Sequence, residues 1–552
     1  MKLIECVPNF SEGRDLRVIE QITAAVEGVE GIRLLDVDPG AATNRTVVTF
    51  VGPQAAVEKA AFLAIKRASE LIDMSDQTGA HPRMGATDVC PFVPLEGATL
   101  DDCVASARRL GQRVGDELGV PVYLYEHAAH QGRRSLADVR RGEYEGLQHR
   151  DDAPDYGPTY NATAGATAIG ARQFLVAYNI NLNTKDRRLA HQVAQSVREL
   201  GTPRRDQSGH LLKDAKGKTV FEPGRFREVK GVGWYIDEYE RAQVSLNLTD
   251  FTVSPIHQVF DACREEAGRL GLRVTGSELV GLIPREALLE AGDHYLRAQG
   301  ATTGVPELAR IRAAVLSLGL DELGPFDPST KVVEYAFAGQ HGELAGMTMS
   351  RFADQLSSAT PAPGGGSVAA LAGAMASALA AMVASLTFAK QGMEAQRPEM
   401  EEVGVKAQSL KDWFLTAVDR DTDAFNAVLR ARRMPRKTPA EIEVRDSAIA
   451  AADLGATVVP LEVLERTIET LELVLTVAQH GNPTSVTDAG VGGWMGLAAA
   501  EGASMNVRIN LKGFDPAGAS PQLVEVAERL DVALGRAREL AAEIARVVED
   551  HL

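Results

Sequence analysis

Ile32-Arg33-Leu34-Leu35-Asp36-Val37, then Asp38-Pro39-Gly40-Ala41-Ala42-Thr43-Asn44-Arg45, then Thr46-Val47-Val48-Thr49-Phe50-Val51: two apolar runs are joined by turn and polar residues, with no room for a helix between them. Both runs read as strands. Upstream, Leu3 to Val7 reads as a strand, and Leu16, Ile19, Ile22 and Val26 keep helical spacing. Downstream, Pro53 opens a helix reaching about Ile72, and the apolar run from Val89 to Val93 reads as a further strand. The order is therefore strand, helix, strand, strand, helix, strand, which is the ferredoxin-like βαββαβ unit.

Farther out, Thr99 and Asp102 have the spacing of a capping box at the start of a helix reaching about Leu118, and Val122 to Tyr125 is another strand. Strands and helices then recur in a similar order. Phe174 to Leu182 is a strand, a helix spans about Asp186 to Leu200, and Val229 to Ile236 and Ala242 to Leu248 are strands. Pro255 opens a helix, Leu279 to Ile283 is a short strand, and helical segments run from about Arg285 to Leu318. Near residue 340 the chain changes type, and long helical patterns follow with almost no strand signal. The expected class is a multidomain chain: two α/β, ferredoxin-like subdomains followed by an all-α helical domain. The boundaries fall at 1–174, 175–337, a linker at 338–346, and 347–552. Leu523, Ala527, Leu530, Leu534, Ala537, Ala541, Ile544 and Val548 keep a seven-residue repeat, which suits a bundle or a subunit interface.

Length and charge bound the functions. At 552 residues the chain holds several cores, and its 45% hydrophobic and 24% charged content is that of an ordinary globular protein. A net charge of −17 argues against a nucleic-acid binder. Cys6, Cys90, Cys103 and Cys263 are widely spaced and form no CxxC pair, as expected of reduced thiols in a cytoplasmic protein. The first residues carry no apolar signal core. Val368 to Phe388 is free of charge and long enough to span a bilayer, but it is mostly Ala, with Gly and Ser, and has no cluster of aromatic or basic anchors at its ends. It reads as a helix buried among helices, so no membrane span is expected.

Four stretches carry chemistry. Gly79 and Pro82 put His81 on a loop entering the Val89 strand, with Arg83 beside it. An imidazole there can meet a small anion and take a proton, although a surface histidine in a turn has the same local sequence. Gly157-Pro158-Thr159-Tyr160-Asn161-Ala162-Thr163-Ala164-Gly165 is a loop of small and hydroxyl residues that lets backbone approach a flat ligand, or a plain connector. Gly364-Gly365-Gly366-Ser367 opens the charge-free helix, where free N–H groups favour an anion or a carbonyl oxygen, or else forms a flexible hinge. Asp421 falls in register with Phe414, Val418, Phe425 and Val428, so it is expected buried or half-buried, with its pKa raised as a general acid needs. A buried polar residue fixing helix register is the competing account. Beyond residue 342 only His480 and His551 remain and no Cys, so no metal is expected there.

Cys6-Val7-Pro8-Asn9-Phe10-Ser11-Glu12-Gly13, Leu34 to Asp38, Thr43-Asn44-Arg45-Thr46-Val47 and His81-Pro82-Arg83-Met84-Gly85 together resemble a glutamate formiminotransferase. Gly231 to Tyr235 and Gly276 to Leu282 extend the likeness to about residue 335. Pro363 to Ser367, Asp419 to Phe425, Gly481-Asn482 with Asp488, and Asn506 to Asn510 resemble a cyclodeaminase, in the order of the bifunctional formiminotransferase-cyclodeaminase family. The resemblance implies two steps of histidine degradation. The formimino group passes from N-formimino-L-glutamate to N5 of tetrahydrofolate, and 5-formiminotetrahydrofolate then closes to 5,10-methenyltetrahydrofolate with loss of ammonia. It implies tetrahydrofolate, polyglutamated or not, as co-substrate, and a homo-oligomer. It matches the transferase histidine to His81, the cyclodeaminase aspartate to Asp421, and a folate-contacting loop to Gly157–Gly165. Asp38 is placed to orient His81, and Arg45 or Arg83 to hold substrate carboxylates, with Asn44 in the same motif. A helical half acting as a methenyltetrahydrofolate cyclohydrolase, or as a folate-binding assembly module without turnover, remains open at this point.

Overall fold

The computed structural model describes residues 2–41, 44–79, 83–132, 134–338, 342–512 and 521–552. Its residues group into two compact units, the first of residues 1–288 and 318–337, the second of 289–317 and 338–552.

The first unit opens with β1 (Leu3–Cys6), β2 (Asn9–Phe10), α1 (Leu16–Glu27), β3 (Arg33–Gly40), β4 (Arg45–Pro53), α2 (Gln54–Leu71) and β5 (Thr87–Pro94). β3 pairs antiparallel with β4, β4 with β1 and β2, and these with β5. That is the strand order of a ferredoxin-like unit, with Pro8 breaking its first strand in two. The sheet then grows beyond it: after α3 (Leu100–Leu118), β6 (Val122–Glu126) and β7 (Thr167–Ala171) add in parallel next to β5. Strand alternation sorts the faces. Ile4, Cys6, Val48, Phe50, Cys90 and Phe92 join α2 and α3 in one fully buried core. Thr99 caps α3 through the expected reciprocal box with Asp102.

A second βαββαβ follows: β8 (Val176–Leu182), α4 (Arg187–Val197), β9 (Val229–Ile236), β10 (Arg241–Leu248), α5 (Ile256–Arg269) and β11 (Val274–Val280), in sheet order β9-β10-β8-β11. β11 begins five residues before the expected strand. Gly276, Ser277 and Glu278 are poor strand formers, but pairing with β8 overrides that preference. The polar insertion at 204–218 forms exposed short turns.

The second unit is helical. α6 (Arg285–Ala298) straddles the boundary, and α7 (Glu307–Leu318) supplies most of the remaining early segment. Then come α8 (Gly365–Ala389), α9 (Arg397–Arg432), α10 (Pro439–His480), α11 (Val486–Leu511) and α12 (Pro521–Glu549). α8 and α10 are each long and apolar enough to cross a membrane, but two-thirds of the apolar window of α8 is buried among the other helices. Its Ala and Gly let them approach: an added Cβ at Gly373 would lie 2.6 Å from the Phe414 ring. The early segment joins this packing where Gly304 meets Gly404 backbone to backbone and Thr303 donates to Glu401. The seam of α12 is consumed inside the unit, with Leu523, Leu530, Leu534, Ala537, Ala541 and Ile544 buried against α10 and α11. Val526 takes the place expected of Ala527.

Candidate functional site

Two constellations lie in separate units. In the first, His81 falls outside the described residues, as do its neighbours 80 and 82, but both flanks of that segment are pinned. Asn44 is buried with φ 49°, accepts the Gly13 N–H at 3.0 Å through Oδ1 and donates to the Thr78 carbonyl at 2.9 Å. Gln77 donates to the Asn44 carbonyl at 3.1 Å. On the far flank Arg83 donates to Gln77 at 2.8 Å and to both oxygens of Glu145. Most of its fork is thus engaged by Gln77 and Glu145. Asp88, 1% exposed, accepts the Met84 N–H at 3.1 Å and pairs with Arg140. Asp38 lies opposite Val47 and Arg45 opposite Gly40, so Asp36, Asp38, Arg45, Val47 and Thr49 share one sheet face, away from the helix-covered core.

The loop Gly157–Gly165 is laced to the same place. Ala86 donates to the Ala164 carbonyl and Ala166 to that of Met84, both at 2.8 Å. Gly165 has φ 68°, and a Cβ there would lie 2.4 Å from the Met84 oxygen, so only glycine fits. Asn161 braces the turn by accepting from Thr163 and Ala164 and donating to Gly119. The small-residue loop is therefore packed directly beside the far flank of the His81 segment.

In the helical unit Asp421 is half-buried on α9, against the start of α8. Ser367 Oγ donates to Asp421 Oδ2 at 3.2 Å and to the Val418 carbonyl at 2.9 Å. An added Cβ at Gly366 would sit 2.0 Å from Asp421 Oδ1, so the glycine is what admits the carboxyl. Burial raises the Asp421 pKa, while the Ser367 hydroxyl and backbone N–H pull it back. Asp421 and Gly364, Gly365 and Gly366 line a cavity of about 710 Å³, with Phe425, Arg432, Asp453 and Asn506 on other walls. A cleft of that size accommodates a folate-sized molecule. Asp419, two residues earlier and so on another side of the helix, accepts N–H groups from Leu344 and Ala345 instead.

Sequence reasoning missed Arg432 and Asp453, which no local pattern marks. It also missed a polar net on the second sheet, opposite the face that carries buried Tyr178, Ile180 and Leu182. There Gln243 donates to Asn181 at 2.8 Å, Asn181 to Glu322 at 2.7 Å and Trp234 to Gln243 at 3.0 Å. The signal was available, since Asn179 and Asn181 alternate with apolar residues along β8.

Family models agree with this layout. The formiminotransferase domain, N-terminal subdomain, matches residues 3–172, the formiminotransferase domain 177–338, and formiminotransferase-cyclodeaminase 348–529. The formimidoyltransferase-cyclodeaminase of Gallus gallus is 41% identical over 520 residues, covering 93% of each chain. The glutamate formimidoyltransferase of Streptococcus pyogenes serotype M1 is 39% identical over 304 residues, 54% of this chain and 94% of that protein. The methenyltetrahydrofolate cyclohydrolase of Methylorubrum extorquens is 36% identical over 168 residues, 30% of this chain and 81% of that one.

Proposed function

Because the chain belongs to the formimidoyltransferase-cyclodeaminase family, we propose that His81 and Asp421 carry its two reactions, each at its own site. The enzyme transfers the formimino group from N-formimino-L-glutamate to tetrahydrofolate, and cyclodeaminates the 5-formiminotetrahydrofolate formed to 5,10-methenyltetrahydrofolate and ammonia. The observation that carries the assignment is the apposition of Asp421 with Gly366 and Ser367 at a folate-sized cavity, in a unit separate from the His81 segment.

In the first step N5 attacks the formimino carbon, becomes positively charged and must lose a proton. The departing glutamate nitrogen must gain one. One imidazole, His81, does both in turn, oriented by Asp38. The Gly157–Gly165 loop supports the pterin beside it. In the second step Asp421 protonates the leaving nitrogen as N10 closes the ring, and the open N–H groups at Gly364–Ser367 hold the pterin's carbonyl edge. Arg432 lies on the cavity wall, where it meets an anionic folate tail. The folate is used with or without a polyglutamate tail, and the enzyme assembles as a homo-oligomer.

His81→Ala is expected to abolish formimino transfer while ammonia release from supplied 5-formiminotetrahydrofolate continues. Asp421→Asn is expected to do the reverse, and joint loss of both activities in either variant would refute separate sites. The match to a cyclohydrolase favours a second reading of the helical half. Supplying 5-formimino- and 5,10-methenyltetrahydrofolate separately, and recording ammonia or ring opening, decides between them.

A further inference from the structure

The first unit holds a cavity of about 550 Å³ that the two-site reading does not use. It is lined by Glu5, Asp36, Val47 and Thr49 of the first sheet, together with Arg172 and Lys331. Val47 and Thr49 continue the sheet face that bears Asp38 and Arg45, so the cavity adjoins the strand positions assigned to transfer. Apolar walls include Phe174, just before β8, and Leu282, just after β11.

Glu5 is the anomaly. It sits on β1 between Ile4 and Cys6, which are core residues of the opposite face, and is only 4% exposed. Among the described residues its carboxyl accepts no hydrogen bond. Its electrostatic neighbours are Arg172, which favours its charge, and Glu334, which opposes it. A desolvated carboxyl without donors is costly unless a ligand supplies them. Arg172 gives one donor to the Gln173 carbonyl at 3.0 Å, leaving most of its fork for another partner. Lys331 has Asp36 as its charged neighbour on the cavity wall.

We propose that this cavity is the docking site of the donor substrate, an amidine-bearing dicarboxylate: Arg172 and Lys331 meet its two carboxylates and Glu5 meets its cationic formimino nitrogens. The inference rests on the transferase reading above and names the donor's place within it. The charges select this ligand over its alternatives. Two cations and the buried Glu5 complement two carboxylates and one amidinium, with exposed Asp36 beside Lys331 as the remaining charge on the wall. A pterin ring is neutral and offers Arg172 and Lys331 hydrogen-bond acceptors but no anion to pair with. A glutamyl tail of folate has carboxylates but only a neutral amide N–H to offer Glu5.

The test uses full-length enzyme with the donor and tetrahydropteroylmonoglutamate varied independently. Lys331→Met and Glu5→Gln are each expected to raise the KM for N-formimino-L-glutamate roughly tenfold or more, with the KM for the folate moving less than about twofold. Inhibition by L-glutamate, the departing product, competes with the donor in the wild type and weakens in parallel in Lys331→Met. An unchanged donor KM in both variants overturns the proposal, as does a rise in the KM for monoglutamyl folate, which would put the pterin here. An effect confined to polyglutamyl folate overturns it in favour of the tail. Should Glu5→Gln lose its thermal unfolding transition, Lys331→Met and the glutamate competition decide alone, since Lys331 is only partly buried. Wild-type enzyme that transfers no formimino group would instead bring down the transferase reading itself, and this inference with it.

Discussion

Asp421 can act as an acid only while it keeps its proton; burial against α8 raises its pKa toward that end, while Ser367 works against it. Cyclodeamination is therefore expected to fall as pH rises through the elevated pKa. Ser367→Ala removes a donor that favours the charged form, so it should move the alkaline limb of the pH–rate profile upward. An unmoved or lowered limb would show that Asp421 is not the titrating acid. Glu5 gives a second test, of stability. Burial lifts its pKa from 4.5 to about 7, with Arg172 restraining the shift and Glu334 adding to it. A folded-state pKa above the unfolded one means stability that is full below pH 4.5 and drains away as pH rises through 7. Glu5→Gln, which cannot ionise, should be more stable than the wild type at pH 8, by on the order of 3 kcal/mol at most. The advantage should vanish at pH 4, as urea denaturation at the two pH values would report. Asp421 was legible in sequence because it interrupts a helical apolar seam. Glu5 was not: an acid alternating with apolar residues on a strand reads as facing water, and only the second sheet reveals what covers it.

At the scale of elements, two glycines act by letting segments touch. Gly366→Ala drives a methyl into the Asp421 carboxyl, which would be 2.0 Å away. Ammonia release is expected to drop by about two orders of magnitude or more, the usual weight of a positioned general acid, while formimino transfer persists. Gly165→Ala meets both a positive φ and the Met84 carbonyl. It should raise the KM for tetrahydrofolate in the transfer reaction and spare cyclodeamination of supplied intermediate. Both βαββαβ units were legible because strand alternation and helical spacing leave different marks, and the Ile32–Val51 hairpin admits no other order. The parallel strands β6 and β7 were harder to place, since a sheet extended by crossover pairing leaves no periodic trace of its neighbour. The α12 repeat was legible as a seam, but what it packs on was not. A repeat states that a face is buried and leaves the covering element unnamed, here α10 and α11 of the same chain.

For the whole molecule, the two proposed sites fall in separate units, which implies that the reactions can divide between molecules. Equimolar His81→Ala and Asp421→Asn proteins, each inactive in the overall sequence, should together convert formiminoglutamate and tetrahydrofolate to methenyltetrahydrofolate after a lag. The absorbance of the methenyl product follows this directly, and a mixture that stays dark would mean the intermediate never leaves the protein that made it. The domain boundaries read from sequence, at 174, 337 and 347, divide the chain consecutively. The folded chain passes from one unit to the other three times, at 288/289, 317/318 and 337/338. A protease that nicks the polypeptide between 338 and 342 would thus sever one of three seams. The early segment 289–317 would remain lodged among helices of the downstream fragment, as Gly304 against Gly404 requires. The two pieces should migrate as one particle on a native gel and part only in denaturant, like cloth that stays sewn after a single thread is cut.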